Sequence, residues 1–274
     1  MNLSGEGSRF TAPYFALAES ATHMGFGMTL GGGYSIRLGT VIQSDNFTAS
    51  FNGPASPAVN TSGKTIATME FQKNFKNFGE VGGSIAVVTL GQMLESNSLM
   101  GLGGNGALAF GGRANTGFIT FAGSTPIAAK ANLSAMASLG QTAAYSNSAA
   151  SIIDGATAST SLAWSLGLAQ MDVLRSGDSF GMTISMPLRT MSGAMTLTTA
   201  TSQSQEDGSL KYSTQSVSLA PSGQERDFEL AYASAVTGYF GGQMTAVANL
   251  KMEPGHVAGA ATQYGIGLRY VKVF

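Results

Sequence analysis

Tyr264-Gly265-Ile266-Gly267-Leu268-Arg269-Tyr270-Val271-Lys272-Val273-Phe274 closes the chain with a period of two. One register carries Tyr264, Ile266, Leu268, Tyr270, Lys272 and Phe274; the other carries Gly265, Gly267, Arg269, Val271 and Val273. Successive side chains of a strand point to opposite faces. This strand therefore presents one large apolar face with aromatics at both ends, and one face that is small or charged.

The same split recurs upstream. Phe228, Leu230 and Tyr232 alternate with Asp227, Glu229 and Ala231; Leu162, Trp164, Leu166 and Leu168 with Ala163, Ser165 and Gly167. Phe180, Met182, Ile184 and Met186 alternate with Gly181, Thr183 and Ser185. Strands are predicted near 22–30, 33–42, 64–75, 80–90, 103–112, 115–124, 127–144, 158–172, 178–199, 209–221, 225–236, 240–252 and 262–274. Turn signals such as Gly31-Gly32-Gly33, Ser176-Gly177 and Gly241-Gly242 separate them. Phe10, Tyr14, Leu17, Ala18 and Ala21 instead recur at helical spacing, with Pro13 among them. Residues 1–21 read as an N-terminal segment, either a first strand or a short pore helix, ahead of one β domain at 22–274.

Composition narrows the class. Lys and Arg number 14, Asp and Glu 15, and charged residues make up 11% of the 274, against about 25% in ordinary soluble domains. So few cations argue against nucleic-acid binding. The 15 Phe and 8 Tyr argue against disorder. Cysteine is absent, so no disulfide, thiolate metal site or Cys nucleophile exists. No apolar run is long enough for a transmembrane helix, and Met1 to Gly7 lacks the features of a signal peptide.

Alternation has two explanations. In a soluble sandwich or solenoid the polar face meets water and should be rich in charge. Here that face is mostly Gly, Ala, Ser and Thr. In an outer-membrane barrel the apolar face meets lipid and the small polar face lines the lumen. The expectation is an all-β transmembrane antiparallel up-and-down β-barrel of about twelve strands, with a short N-terminal helix or plug as the alternative to a first strand. Tyr264, Ile266, Leu268, Tyr270 and Phe274 form the expected assembly-signal strand, since bacterial barrels commonly end on an aromatic that the assembly machinery reads.

Four blocks carry a family likeness. They are Ser161–Ala169, Leu174–Arg189 followed by Ser192-Gly193, Val217–Tyr232 with its Pro221-Ser222-Gly223 turn, and Glu253-Pro254-Gly255-His256-Val257-Ala258-Gly259 leading into the last strand. In this order the chain resembles the C-terminal β-barrel (translocator) domain of subtilisin-like serine-protease autotransporters from alphaproteobacteria. The N-terminal half matches more loosely, through Pro13–Leu17 and Leu30–Gly33. The resemblance implies a barrel in the bacterial outer membrane that anchors an N-terminal passenger and helps export it to the cell surface. The implied partners are outer-membrane lipid or lipopolysaccharide, the barrel-assembly machinery, and the passenger or other surface proteins. The sequence holds no protease constellation, and Lys272 stands where the family signal has an apolar or aromatic residue. A non-conducting barrel subunit anchoring a surface complex is the alternative; a passive porin fits less well, because the lumen face carries few charges.

Candidate chemistry is sparse. No catalytic, cofactor or metal site is expected. His256 reads as a turn residue and His23 as structural; two distant histidines are too few for a metal. Gly103–Gly112 lacks the Lys-Ser/Thr of a phosphate loop. Asp227, Glu229, Lys251 and Arg269 share lumen registers of the last three strands and form an expected charge cluster, either internal ion pairing or a plug-holding group. The polar stretches 44–63, 145–159 and 199–209 are expected as outer loops, the last as the tip of a tall hairpin. The 14 Met suit adaptable lipid or partner contacts.

Overall fold

The computed structural model describes residues 12–18, 21–43, 63–75, 83–104, 106–236 and 241–272. After a 3-10 turn at Pro13–Leu17 come β1 (Thr22–Gly31), β2 (Tyr34–Gln43), β3 (Gly63–Asn74) and β4 (Ile85–Ser96). Two short strands follow, β5 (Ser98–Leu99) and β6 (Leu102–Gly103), then β7 (Arg113–Ala128) and β8 (Ala131–Thr142). Next are β9 (Tyr145–Ser146), β10 (Ile153–Ala156), β11 (Ser159–Met171) and β12 (Ser179–Ser192). The chain closes with β13 (Ala194–Gln203), β14 (Leu210–Ser218), β15 (Arg226–Val236), β16 (Gly242–Met252) and β17 (Gln263–Val271).

Eleven strands form one antiparallel sheet in the order β1-β2-β3-β4-β7-β8-β11-β12-β15-β16-β17. Every neighbour follows its predecessor, the up-and-down order expected. Of the strand expected at 103–112, Gly103 ends β6, Gly106–Leu108 form a 3-10 turn, and the other described residues lie in no strand. The expected 178–199 strand breaks at Gly193 (φ 118), a left-handed value that favours glycine. Beyond it β13 and β14 make the tall hairpin and join β10 and β9 in a separate four-stranded sheet. The strand expected at 80–90 lies at 85–96. These shifts leave eleven strands in the main sheet where about twelve were expected. Edge strands β1 and β17 run in the same direction and are not paired with each other among the described residues.

Connections differ at the two ends. At one end lie the strand ends Gly31 and Tyr34, Asn74 and Ile85, Ala128 and Ala131, Met171 and Ser179, and Val236 and Gly242. At the other lie Gln43 and Gly63, Ser96 and Arg113, Thr142 and Ser159, Ser192 and Arg226, and Met252 and Gln263, and the lengths of chain joining these are mostly greater. Glycine makes the tightest turn possible: Gly31, Gly32 and Gly33 all have positive φ, as a two-residue hairpin of matching twist requires.

The two faces have opposite chemistry. The register links Phe26, Leu38, Met69, Leu90, Ile119, Leu139 and Leu162 in one row across seven strands. A second row runs Leu166, Ile184, Phe228, Leu250 and Tyr264. These side chains point outward, and Phe26, Leu139 and Tyr264 are 69%, 54% and 84% exposed. The inward row Gly39, Thr68, Gly91, Phe118, Gly140, Ser161 and Thr190 is glycine, serine or threonine everywhere but at Phe118.

The sheet is curled. In a flat sheet β2 and β12 would lie about 29 Å apart, six strand spacings. Yet Val41 of β2, Ile66, Met93 and Phe118 share one core cluster with Ala12, Tyr14 and Ala18, and Leu188 of β12 packs against the same cluster. The inward face wraps around the N-terminal turn. Of the two readings of residues 1–21, the described part, 12–18, is a 3-10 turn held inside; residues 1–11 lie outside the described set.

Candidate functional site: a plugged inner face and a two-loop latch

Tyr14 is buried completely. Its ring stacks on Phe118 with centroids 4.2 Å apart, and its hydroxyl is 2.7 Å from Ser161 Oγ. Glycine makes the room. A Cβ on Gly91 would overlap the Phe118 ring, and one on Gly140 would overlap Tyr14. The two rings therefore fill the space that side chains at 91 and 140 would take, on a single row of the sheet. Lys64 Nζ donates to Leu17 O at 2.6 Å and ties down the end of the turn. A cavity of about 370 Å³ remains beside it, lined by Pro13, Leu17, Met136, Ala163 and Asp227 among others. Buried hydroxyls of β7 and β8 pair with one another: Thr116 with Thr142 at 2.8 Å and Thr120 with Ser138 at 2.6 Å.

All these contacts sit toward the long-connection end. Tyr14 and Lys64 meet the ends of β3, β8 and β11 that lead into the long connections. The other inner carboxylate there, Glu95, is 1% exposed. It accepts from Ser98 Oγ and from the N–H groups of Met100 and Gly101.

The Pro221–Gly223 and Glu253–His256 turns meet at the same end. Gly223 N–H donates to His256 O at 2.7 Å, Gln224 N–H to Glu253 Oε2 at 2.6 Å, and Ala258 N–H to Ser222 Oγ at 3.1 Å. Arg189 donates through Nε to Gly223 O and through Nη2 to Pro221 O. The Pro254–His256 turn holds Glu253, Gly255 and His256 at positive φ (49°, 69° and 59°). His256 is buried. Its Nδ1 accepts from Glu225 N–H at 2.9 Å, so its Nε2–H faces Leu188 O at 3.2 Å. His256 is thus the turn residue expected, and a structural one. Gly223 has no spare space: a Cβ there would lie 2.5 Å from Ala258 N and 2.7 Å from Val257 C. Gly223→Ala is expected to part the turns at a cost of roughly 1–3 kcal/mol, as overpacking does. A shift in the thermal unfolding midpoint would register it; an unchanged midpoint would show that the turns part freely.

The expected charge cluster is assembled in part. Lys251 Nζ lies 3.6 Å from Asp227 Oδ2 and 3.4 Å from Glu225 Oε1. Glu225 also accepts from Gly255 N–H at 2.6 Å. Burial pulls the Glu225 carboxyl upward, but the Gly255 N–H, Asp227 and Lys251 outweigh it, and its pKa falls below the ordinary value. Glu229 stands opposite Asn249, and Arg269 opposite Thr245. Arg269 is therefore four residues further down its strand than Glu229's level, beyond the reach of a same-level pair. The sequence reading missed Glu225 and Arg189. Both lie inside the quoted blocks, but only the pairing of β12, β15 and β16 brings Arg189 to the Pro221–Gly223 turn and Glu225 to Gly255 and Lys251.

The last strand, expected from the sequence to carry an assembly signal, is described to Lys272. Tyr264, Ile266, Leu268 and Tyr270 face outward on the sheet edge; Phe274 lies outside the described residues. Among the described residues no group of His, Asp or Glu could hold a metal ion. No helix among them is long and apolar enough to cross a membrane, which says nothing of strands. No family model, no curated protein and no solved structure matches the chain.

Proposed function

We propose that the curled sheet closes into a bacterial outer-membrane β-barrel. In this reading it acts as an autotransporter translocator does: it anchors a passenger domain attached ahead of residue 1 and helps bring it to the cell surface. One observation carries the reading. Two outward rows of large apolar residues, Phe26 to Leu162 and Leu166 to Tyr264, together take in every strand of the main sheet from β1 to β17, opposite a face of mainly small residues. A contiguous apolar surface of that size marks a membrane or a partner, and its alternation is that of lipid-facing strands. Several strands exceed the 9–11 residues a tilted crossing needs, β7 with 16 among them, and would project beyond the bilayer.

Polarity supports the same reading. Barrels keep short turns on the periplasmic side and long loops outside. Residues 12–18 sit at the long-connection end, so a passenger ahead of them would join on the outer side. The last strand runs toward the short-turn end, where the assembly machinery works. The alternative, a structural barrel that anchors a surface complex and conducts nothing, draws on the filled interior at Tyr14. In both readings the chain is an anchor and not an enzyme.

Two experiments test this. Phe121→Arg places a charge in the outward face of β7, where Phe121 is half exposed. In a bilayer the cost is expected to be about 2–4 kcal/mol; on a water-facing surface it would be near zero. Reversible unfolding in lipid vesicles reads the difference. For export, the chain is expressed behind a secretion signal and an epitope tag upstream of residue 1. Tag cleavage by protease added to intact cells supports the translocator reading, and a tag retained in the periplasm sinks it.

A further inference from the structure

We propose that the outward rim of the sheet at its long-connection end binds a phosphorylated lipid headgroup between Arg189 and Arg226. The inference rests on the membrane reading above, because it takes the outward face to meet lipid. Its origin is a bulge in β12. Trp164 pairs with Met186, whereas Leu162 pairs with Arg189. One extra residue therefore sits on β12 around Pro187 and Leu188, where proline could not donate to the ladder in any case.

The bulge reverses the parity of the strand. Thr183 and Ser185 face inward, opposite Gly167 and Ser165. Past the bulge Leu188 packs inward against the N-terminal turn, and Arg189 points outward beside Leu162. Without the extra residue Arg189 would point into the interior. The bulge aims this cation at the outer rim.

Arg189 is also held still. Nε and Nη2 donate to the carbonyls of Gly223 and Pro221, and Nη1 meets Met191 Sδ at 3.1 Å. A guanidinium has five N–H groups, so two remain for a ligand on a group already fixed in place. Arg226 lies on the outward register of β15, opposite Met252, and is exposed.

The two arginines border a cleft of about 420 Å³ shared with Ser222, Gln224, Met252 and Glu253. Glu253 is the acid of the cleft, and its Oε2 is occupied by Gln224 N–H. Two guanidinium groups against one carboxylate leave the cleft with a net positive charge. Fixed, forked donors are what phosphate oxygens suit. Directly below, Phe228, Leu250 and Tyr264 form one apolar row. A molecule with a phosphate at its head and acyl chains beneath it matches both parts of this surface.

The test uses the full chain in detergent micelles, titrated with bisphosphorylated lipid A or with phosphatidylcholine and read by native mass spectrometry. Wild-type protein is expected to hold one lipid A in preference to phosphatidylcholine. Arg226→Gln, which breaks no side-chain hydrogen bond or ion pair among the described residues, is expected to weaken lipid A binding roughly tenfold, as loss of a charged hydrogen bond does. Glu253→Gln keeps an oxygen for Gln224 and removes the opposing charge, so it is expected to tighten binding. Millimolar inorganic phosphate tells the sources apart: displacement of lipid A assigns the cleft to free phosphate and overturns the lipid proposal, whereas failure to displace it supports a lipid headgroup. Equal lipid A binding by wild type and Arg226→Gln overturns the site. If the wild type inserts into phosphatidylcholine vesicles but shows no lipid A preference, the site alone falls. If it does not insert, the membrane reading falls with it.

Discussion

Tyr14→Ala is expected to destabilise the protein by roughly 3–5 kcal/mol, the usual cost of deleting a buried aromatic ring. The site cannot collapse onto the gap. Phe118 would lose its stacking partner, and the strands bearing Gly91 and Gly140 have no side chains to move inward. Tyr14→Phe separates the parts: it keeps the ring and loses the bond to Ser161 Oγ, at about 1 kcal/mol. If the sheet closes as proposed, the same change alters transport. In planar bilayers the wild-type protein is expected to pass little current and Tyr14→Ala to conduct. A variant as silent as the wild type would mean that something other than the Tyr14–Phe118 pair closes the interior. Retained stability would mean that the ring is not a structural anchor.

Asp178→Ala is expected to lower the thermal unfolding midpoint by roughly 10 °C, from the number of donors it strands. Asp178 is 1% exposed and sits in the connection between β11 and β12. Its carboxylate accepts from the N–H groups of Val173, Leu174 and Arg175 at 2.6–2.9 Å. It also accepts from the Tyr232 hydroxyl at 2.7 Å, which pins the turn to β15. Asp178→Asn keeps one acceptor oxygen and is expected to lose less. Burial raises the Asp178 pKa, but the Tyr232 hydroxyl and the three backbone donors outweigh it, and the net shift is downward. A carboxyl lowered in the folded state adds stability above its unfolded value, near 4. That stability goes as pH falls through the lower folded value. Wild-type midpoints should therefore be level above about pH 5 and fall below about pH 4, with a shallower fall in Asp178→Ala. Identical pH profiles for the two proteins would refute the assignment.

The period of the sequence decided much of this molecule. Leu162, Trp164, Leu166 and Leu168 alternate with Ala163, Ser165 and Gly167, and that alternation fixes which face of a strand is apolar, because the side-chain period of a strand is two. It made the all-β fold, the neighbour-to-neighbour order and the tall hairpin legible before any coordinates. Tyr14 too was visible, as part of a helical spacing that set residues 12–18 apart from the strands.

Other features depend on the third dimension. Parity alone sends Arg189 inward with Ser185; one extra residue in β12 turns it out, and no local signal marks a bulge as opposed to a slightly longer strand. Gly103–Gly112 carries enough glycine and alanine to pass for a small-residue strand, yet past Gly103 its described residues belong to no strand. Arg269 and Glu229 share a face, but the register of β16 and β17 puts them at different levels. Some thirty residues separate Pro221-Ser222-Gly223 from Glu253-Pro254-Gly255-His256. The pairing of β15 with β16, with Arg226 opposite Met252, brings their backbones within hydrogen-bond reach, and Glu225 and Arg189 acquire their partners at these strand ends. Alternation is a local property of the chain, whereas register, bulges and loop meetings are settled by which strands lie side by side.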